Sequence, residues 1–318
     1  MTKHKDDIVV SVVSLCYNHE KWLQRCFDGF VMQRTNFSFE VLSHDDASTD
    51  GSADIIREYE ARYPDIFRPI YQTENQYSKG RGIFIPILLP KVRGKYIALC
   101  EGDDYWTDPD KLQMQVDFLE SHPDHAMVYT QTRSYHESQH RYGRVRGGAA
   151  TTDLRTLIDR NCIYTQTVVM RREAVERYVA EVAPQERGWR MGDYPMWLYF
   201  AATSKIGFIE RPTAVYRLLA ESASHSRSFD KMMGFVESSV ELCRFMVERY
   251  APELEAEVEK VALREQFMIN YKHRHYREAR ALYEEIVRRG YSYSSHDSRA
   301  LRRRYFKTRL QLFFRGVW

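Results

Sequence analysis

The 318-residue sequence predicts an α/β fold, a mainly parallel sheet with helices on both faces, followed by a C-terminal helical region. Three observations carry this expectation. Short β-branched runs alternate with segments of helical spacing from residue 8 to about 132. Acidic residues recur where those runs end. From residue 229 onward the texture changes to long helical patterns without intervening strands.

The first strand is read over 8–15, where Ile8, Val9, Val10, Val12, Val13 and Leu15 form a β-branched run bounded by polar residues. Cys16-Tyr17-Asn18-His19 leaves it, and Trp22, Leu23, Phe27, Phe30 and Val31 give residues 20–31 a helical spacing. A second strand over 39–44 ends at Asp45-Asp46. Residues 52–63 are helical and stop at Pro64, and a third strand is expected over 67–71. The segment 83–91, with two prolines, takes no assignment. Next comes the apolar run Tyr96-Ile97-Ala98-Leu99-Cys100, a buried strand by length and composition, and directly after it Glu101-Gly102-Asp103-Asp104-Tyr105-Trp106.

Two adjacent aspartates repel each other unless a cation or hydrogen-bond donors compensate them. Hard oxygen ligands on a short loop suit Mg2+ or Mn2+. The structural alternative is capping of the helix after Pro109. Capping explains each acid singly. It does not explain why Tyr17, Asp46 and the Asp103-Asp104 pair all follow strands of a parallel sheet, whose carboxyl ends form the ligand crevice.

Farther on, 112–121 reads as a helix and 126–132 as a strand. Residues 141–150, with three glycines and three arginines, read as a mobile loop. Short strands are expected over 206–210 and 214–218, flanking Arg211-Pro212. Asp193 precedes an apolar helix over 197–202, where a capping role competes with a chemical one. Helices are expected over 232–250, 254–273, 276–289 and 300–314, the middle pair similar to one helical-hairpin repeat of the tetratricopeptide kind. The last helix mixes Arg302, Arg303, Arg304, Lys307 and Arg309 with Tyr305, Phe306, Leu310, Phe313, Phe314 and Trp318. That mixture suits an anionic membrane surface, or a helix whose apolar side packs on its own domain.

A net charge of +3 argues against a nucleic-acid partner. Five widely spaced cysteines without a C-x-x-C pair fit reduced, buried thiols rather than a disulfide frame or zinc site. The polar N-terminus lacks a signal-peptide pattern, and no window approaches the roughly 20 apolar residues of a membrane span. A cytoplasmic protein is expected, free or on the inner face of the cytoplasmic membrane.

Three motifs together carry a family resemblance: Val12-Val13-Ser14-Leu15-Cys16-Tyr17-Asn18, Asp45-Asp46-Ala47-Ser48-Thr49-Asp50-Gly51-Ser52, and Gly94-Lys95-Tyr96 through Glu101-Gly102-Asp103-Asp104-Tyr105-Trp106. In this combination and order, residues 8 to about 132 resemble the nucleotide-binding half of the inverting family 2 glycosyltransferases of GT-A fold. Residues 187–227 are similar to the acceptor half more loosely. The resemblance implies domain limits of 1–228 for the transferase domain (8–132 nucleotide-sugar half, 133–228 acceptor half) and 229–318 for the helical region. It implies a UDP-sugar donor with Mn2+ or Mg2+, and a saccharide or lipid-linked acceptor in bacterial surface polysaccharide assembly. By the same resemblance Tyr17 stacks on the base, Asp46 accepts the uracil N3 hydrogen, Arg81 contacts base or diphosphate, and Asp103 lies near the ribose. Asp104 holds the metal, His225 completes the metal or diphosphate site, and Asp193 is the general base. Gln185-Glu186-Arg187-Gly188-Trp189 departs from the Gln-x-x-Arg-Trp motif of processive members, which favours single-sugar transfer in a non-processive bacterial type. Two further readings compete with this one. A sugar-phosphate nucleotidyltransferase calls for a glycine-rich loop after the first strand, and Cys16-Tyr17-Asn18-His19 has no glycine. A catalytically silent scaffold calls for loss of the acids, which are present.

Overall fold

The computed structural model describes residues 7–80, 82–219 and 228–314. Contacts divide the chain into two compact units. One comprises residues 1–157, 161–188 and 192–220; the other comprises 158–160, 189–191 and 221–318.

The first unit opens with β1 (Ile8–Cys16), α1 (Glu20–Val31), β2 (Ser38–Asp45), α2 (Ser52–Arg62), β3 (Ile70–Tyr71), β4 (Tyr96–Leu99) and β5 (Tyr105–Trp106). It continues through α3 (Lys111–Ser121), β6 (His125–His136), β7 (Arg141–Arg146), α4 (Leu154–Asp159), β8 (Val168–Arg171), α5 (Arg172–Val182), α6 (Tyr194–Thr203) and β9 (Lys205–Leu218). The sheet order is β3-β2-β1-β4-β8-β6-β9-β5, with β7 paired to β6. The first four strands are parallel. Beyond them β8 joins both β4 and β6 antiparallel, while β6 and β9 run parallel.

Helix α1 shows how the sequence builds this layer. Its buried positions Leu23, Cys26, Phe27 and Phe30 recur at helical spacing, and each fully buried phenylalanine contributes roughly 2–3 kcal/mol by area. Phe30 meets Trp106 edge-on at 4.7 Å. The helix comes so close that a Cβ on Gly29 would lie 2.9 Å from the Trp106 carbonyl oxygen. All five cysteines are buried and free.

Several expectations require correction. Residues 141–146 form a strand instead of part of a loop, because β7 borrows its ladder from β6 and stacks Tyr142 edge-on against Tyr135 at 4.9 Å. Its arginines and glycine conceal that pairing in the sequence. The two short strands expected around Arg211-Pro212 are one strand, β9, since β6 opposite absorbs the proline through register shifts at Thr130 and Gln131. The third strand shrinks to two residues plus a single bridge between Val41 and Phe67. The unassigned segment is a π-helical turn (Phe84–Leu88) followed by a 3-10 turn (Leu89–Lys91).

The second unit contains α7 (Phe229–Tyr250), α8 (Glu255–Lys272), α9 (Tyr276–Arg288) and α10 (Ser295–Phe314). Phe267, Ala279 and Leu301 form its shared core, and Tyr283 stacks on Tyr305 at 4.0 Å. Among the described residues no helix is long and apolar enough to cross a membrane.

Candidate active site

The site begins where β1 and β2 end. Cys16 and Asp45 are register partners, and the Asp46 N–H donates to the Cys16 carbonyl at 2.9 Å, so Tyr17 and Asp46 leave adjacent strands side by side. Both loops turn sharply through left-handed backbone at Asn18 (φ 57°) and Ala47 (φ 61°), a strain of the kind that clusters at functional sites. The loops are also stitched together. Asn18 N–H donates to Ser48 Oγ (3.0 Å) and Thr49 N–H to Asn18 Oδ1 (2.8 Å). His19 N–H donates to Ser52 Oγ (2.9 Å), and Glu20 N–H to Asp50 Oδ2 (3.1 Å). The small polar residues of the second motif are the other half of this seam.

Tyr17 is 45% exposed, an open aromatic face. Asp46 is buried and accepts from the Gln76 N–H at 2.7 Å and the Tyr77 N–H at 3.0 Å. Each of its oxygens keeps one lone pair beyond these donors.

The acidic loop joins the same edge. Gly102 N–H donates to the Leu15 carbonyl at 2.8 Å, which seats residues 101–104 beside the end of β1. A Cβ at Gly102 would meet His19 Nδ1 at 2.8 Å, Leu23 Cδ1 at 2.9 Å and the Leu15 oxygen at 3.2 Å. Asp103 and Asp104 do not cap α3, whose N-cap position is Asp110. Asp103 Oδ1 is a buried oxygen with no hydrogen-bond partner. Asp104 is buried, and its Oδ1 accepts from the Arg217 N–H at 2.7 Å. Burial and the Asp103 charge raise the Asp104 carboxyl well above the usual range, against the pull of that hydrogen bond.

Asp193 arrives from another segment. It occupies the N-cap of α6, where Oδ1 accepts from the Tyr194 N–H (2.7 Å) and Oδ2 from the Thr165 hydroxyl (2.6 Å). Capping and a chemical role are therefore compatible here. Glu101 links it to the acidic loop: loss of water and the charges of Asp103 and Asp193 push the Glu101 carboxyl up to about 8. His19 is pressed the opposite way, lowered by burial although Asp103 and Asp50 favour its charged form.

Arg217, which carried no signal in the sequence, organises the loop. Besides its backbone contact to Asp104, its Nε donates to the Asp103 carbonyl at 2.7 Å and its Nη1 to Glu137 at 2.6 Å. Its guanidinium also lies over the Tyr105 and Tyr135 rings. Its partners stand 80 to 114 residues away in the chain, beyond the reach of any local pattern. Glu101 and Thr165 were likewise missed as site residues.

Among the described residues no group of three or more His, Cys, Asp or Glu side chains is arranged to hold a metal. Arg81 and His225 lie outside the described residues. The unpartnered, buried oxygen of Asp103 beside the buried Asp104 nevertheless fits a hard divalent cation. Such an ion needs only one or two protein carboxylates when phosphate and water complete its shell.

A family model described as Glycosyl transferase family 2 matches residues 11–179. An uncharacterized protein of Mycobacterium tuberculosis is 38% identical over 225 residues, covering 70% of this chain and 62% of its own length. The chain thus matches under two thirds of that relative. The putative glycosyltransferase EpsE of Bacillus subtilis is 28% identical, over 69% of this chain and 75% of EpsE. Among solved structures, S. aureus TarS 1-349 in complex with UDP-GlcNAc superposes with a TM-score of 0.55 at 14% identity, over 90% of this chain and 93% of that one. The mannosyltransferase PcManGT of Pyrobaculum calidifontis, in complex with GDP-Man and Mn2+, gives 0.57 at 14% identity, over 95% and 81%. At such identity the two structures speak for the fold alone: a GT-A architecture with a helical C-terminal region.

Proposed function

The chain belongs to the glycosyl transferase family 2, and on that premise we propose that it is a metal-dependent inverting glycosyltransferase. It moves a single sugar from a UDP-sugar to a saccharide or lipid-linked acceptor in bacterial surface polysaccharide biosynthesis. The observation that carries this reading is the meeting of three strand-end loops at one sheet edge, with the Asp193 carboxylate within electrostatic reach of Glu101, the first residue of the acidic loop.

Tyr17 offers its exposed ring to the base, and the spare lone pairs of Asp46 take the uracil N3 hydrogen. Asp103 lies toward the ribose and Asp104 toward the diphosphate. Mn2+ or Mg2+ held by Asp104, when bound, supplies electrostatic stabilisation to the departing diphosphate oxygens. Roles for Arg81 and His225 at the diphosphate belong to the same reading. Inversion by one displacement requires a carboxylate on the sugar face opposite the leaving group. Asp193 suits that work. Thr165 and the Tyr194 N–H fix its direction while leaving each oxygen a lone pair for the acceptor hydroxyl. Residues 133–228 are the acceptor side, and a lipid-linked acceptor agrees with a place at the inner face of the cytoplasmic membrane.

Calorimetry with UDP and Mn2+ tests the assignment. Asp104→Ala should abolish metal-dependent donor binding. Asp193→Asn should bind donor like the parent chain and lose turnover by about 10²–10⁴. Equal loss of binding in both refutes the division of roles. Absence of any metal-dependent heat in the parent chain favours a silent scaffold.

A further inference from the structure

We infer that the outward face of α10 docks on an anionic membrane surface. The helix has two apolar sides. One is spent within its own unit: Leu301, Thr308 and Leu312 are buried, and Tyr305 stacks on Tyr283. The other holds Phe306, Leu310, Phe313 and Phe314, which are 69%, 43%, 57% and 72% exposed. At 100° per residue these four fall within one arc, roughly opposite the packed side.

This is not ordinary scatter of exposed apolar groups. Ten large hydrophobic side chains are exposed among the described residues, and four of them share three turns of this helix. The border of the patch decides what covers it. Arg302 and Lys307 are exposed along its two flanks, Arg303 is exposed on the same arc about one turn before Phe306, and no Asp or Glu occurs between residues 298 and 314. Phenylalanine and leucine flanked by cations on both sides match an anionic bilayer, which takes the rings below the headgroups and the cations at their level. The packing of the opposite side holds the helix in one orientation, so the patch is presented without a folding step on arrival. Donor chemistry plays no part in this surface.

The test is flotation of the full chain with phosphatidylcholine vesicles, with and without phosphatidylglycerol. The chain is expected to float only with the anionic vesicles. Arg302→Glu/Arg303→Glu/Lys307→Glu should lower partitioning by at least about a hundredfold, since each basic side chain near such a surface contributes a factor of roughly five. Phe306→Ser/Phe313→Ser should lower it by at least tenfold, and Arg62→Glu/Lys91→Glu, exposed cations of the other unit, should leave it unchanged. Matching thermal unfolding of all variants guards against misfolding. The inference is overturned if the parent chain stays with the pellet, or if the α10 variants float as it does. It is equally overturned if sedimentation without lipid shows self-association that Phe306→Ser/Phe313→Ser abolishes, because the face then joins two copies of the chain.

Discussion

The two units handle charge in opposite ways. The sheet unit buries Glu40, Asp45, Asp46, Asp104, Asp108, Lys111, Arg171 and Arg217. Among its described residues the helical unit buries no charged side chain, and its two buried polar groups merely bond their own helices: Asn270 Nδ2 donates to the Gln266 carbonyl and the Thr308 hydroxyl to the Arg304 carbonyl, both at 2.9 Å. Many of its ion pairs are open to solvent, as between Arg280 and Glu284 at 2.8 Å, and the more shielded, such as Arg264 with Asp159 at 2.6 Å, are only partly buried. Buried charge is costly and poor evidence of stability, so its segregation into one unit marks where something other than stability is being specified. Part of that load is architectural. Glu40 is clasped by Ser11, Arg68 and Arg93, and these hydrogen bonds hold it below the usual carboxylate range against the opposing effect of burial. Arg171 binds the Leu119 and His122 carbonyls at the end of α3. Asp104 and Arg217 meet at the acidic loop.

The contrast can be broken most directly at Arg217. Arg217→Met strands Glu137 and the Asp103 carbonyl, and should cost about 3 kcal/mol in urea unfolding while weakening the metal-dependent UDP binding proposed above. A stability loss with unchanged binding would make the residue a mere strut.

Lys111 gives a subtler handle. It is fully buried against Trp106 with only Gln115 as hydrogen-bond partner, and burial lowers it from 10.5 to about 7. Between those pH values the unfolded chain binds a proton that the folded chain lacks, so folding stability rises with pH through the window and the deficit is complete below it. Relative to Lys111→Met, the parent chain should gain up to about 1.4 kcal/mol per pH unit from pH 7 toward 10. A flat difference would mean that the ammonium stays charged. The smallest effect belongs to the helical unit, where Thr308→Val should shift unfolding by no more than about 1 kcal/mol, and a larger loss would mean that this unit also depends on a buried polar contact.

What the sequence revealed follows the same division. Strand-end acids were legible because a parallel sheet gathers the ends of β1, β2 and β4 at one edge whatever the loops do. The long helices were legible from periodicity, although not which side of α10 would pack. Arg217 was invisible because one arginine at a strand end has no pattern, and its worth lies in partners supplied by distant β-hairpin and loop segments. Strand β7 was hidden for a related reason, since its pairing is imposed by β6 rather than by its own arginine-rich composition.

Gly102 carries one last implication. With the His19 ring, the Leu23 methyl and the Leu15 carbonyl already against the space a Cβ would fill, growth at the seat of the aspartate pair has to displace them. Randomising this position should favour glycine strongly, whereas the outward rim around Tyr17 has room to vary. On the proposed reading, diversification toward new donors is therefore expected to proceed by redecorating the entrance while leaving Gly102 untouched.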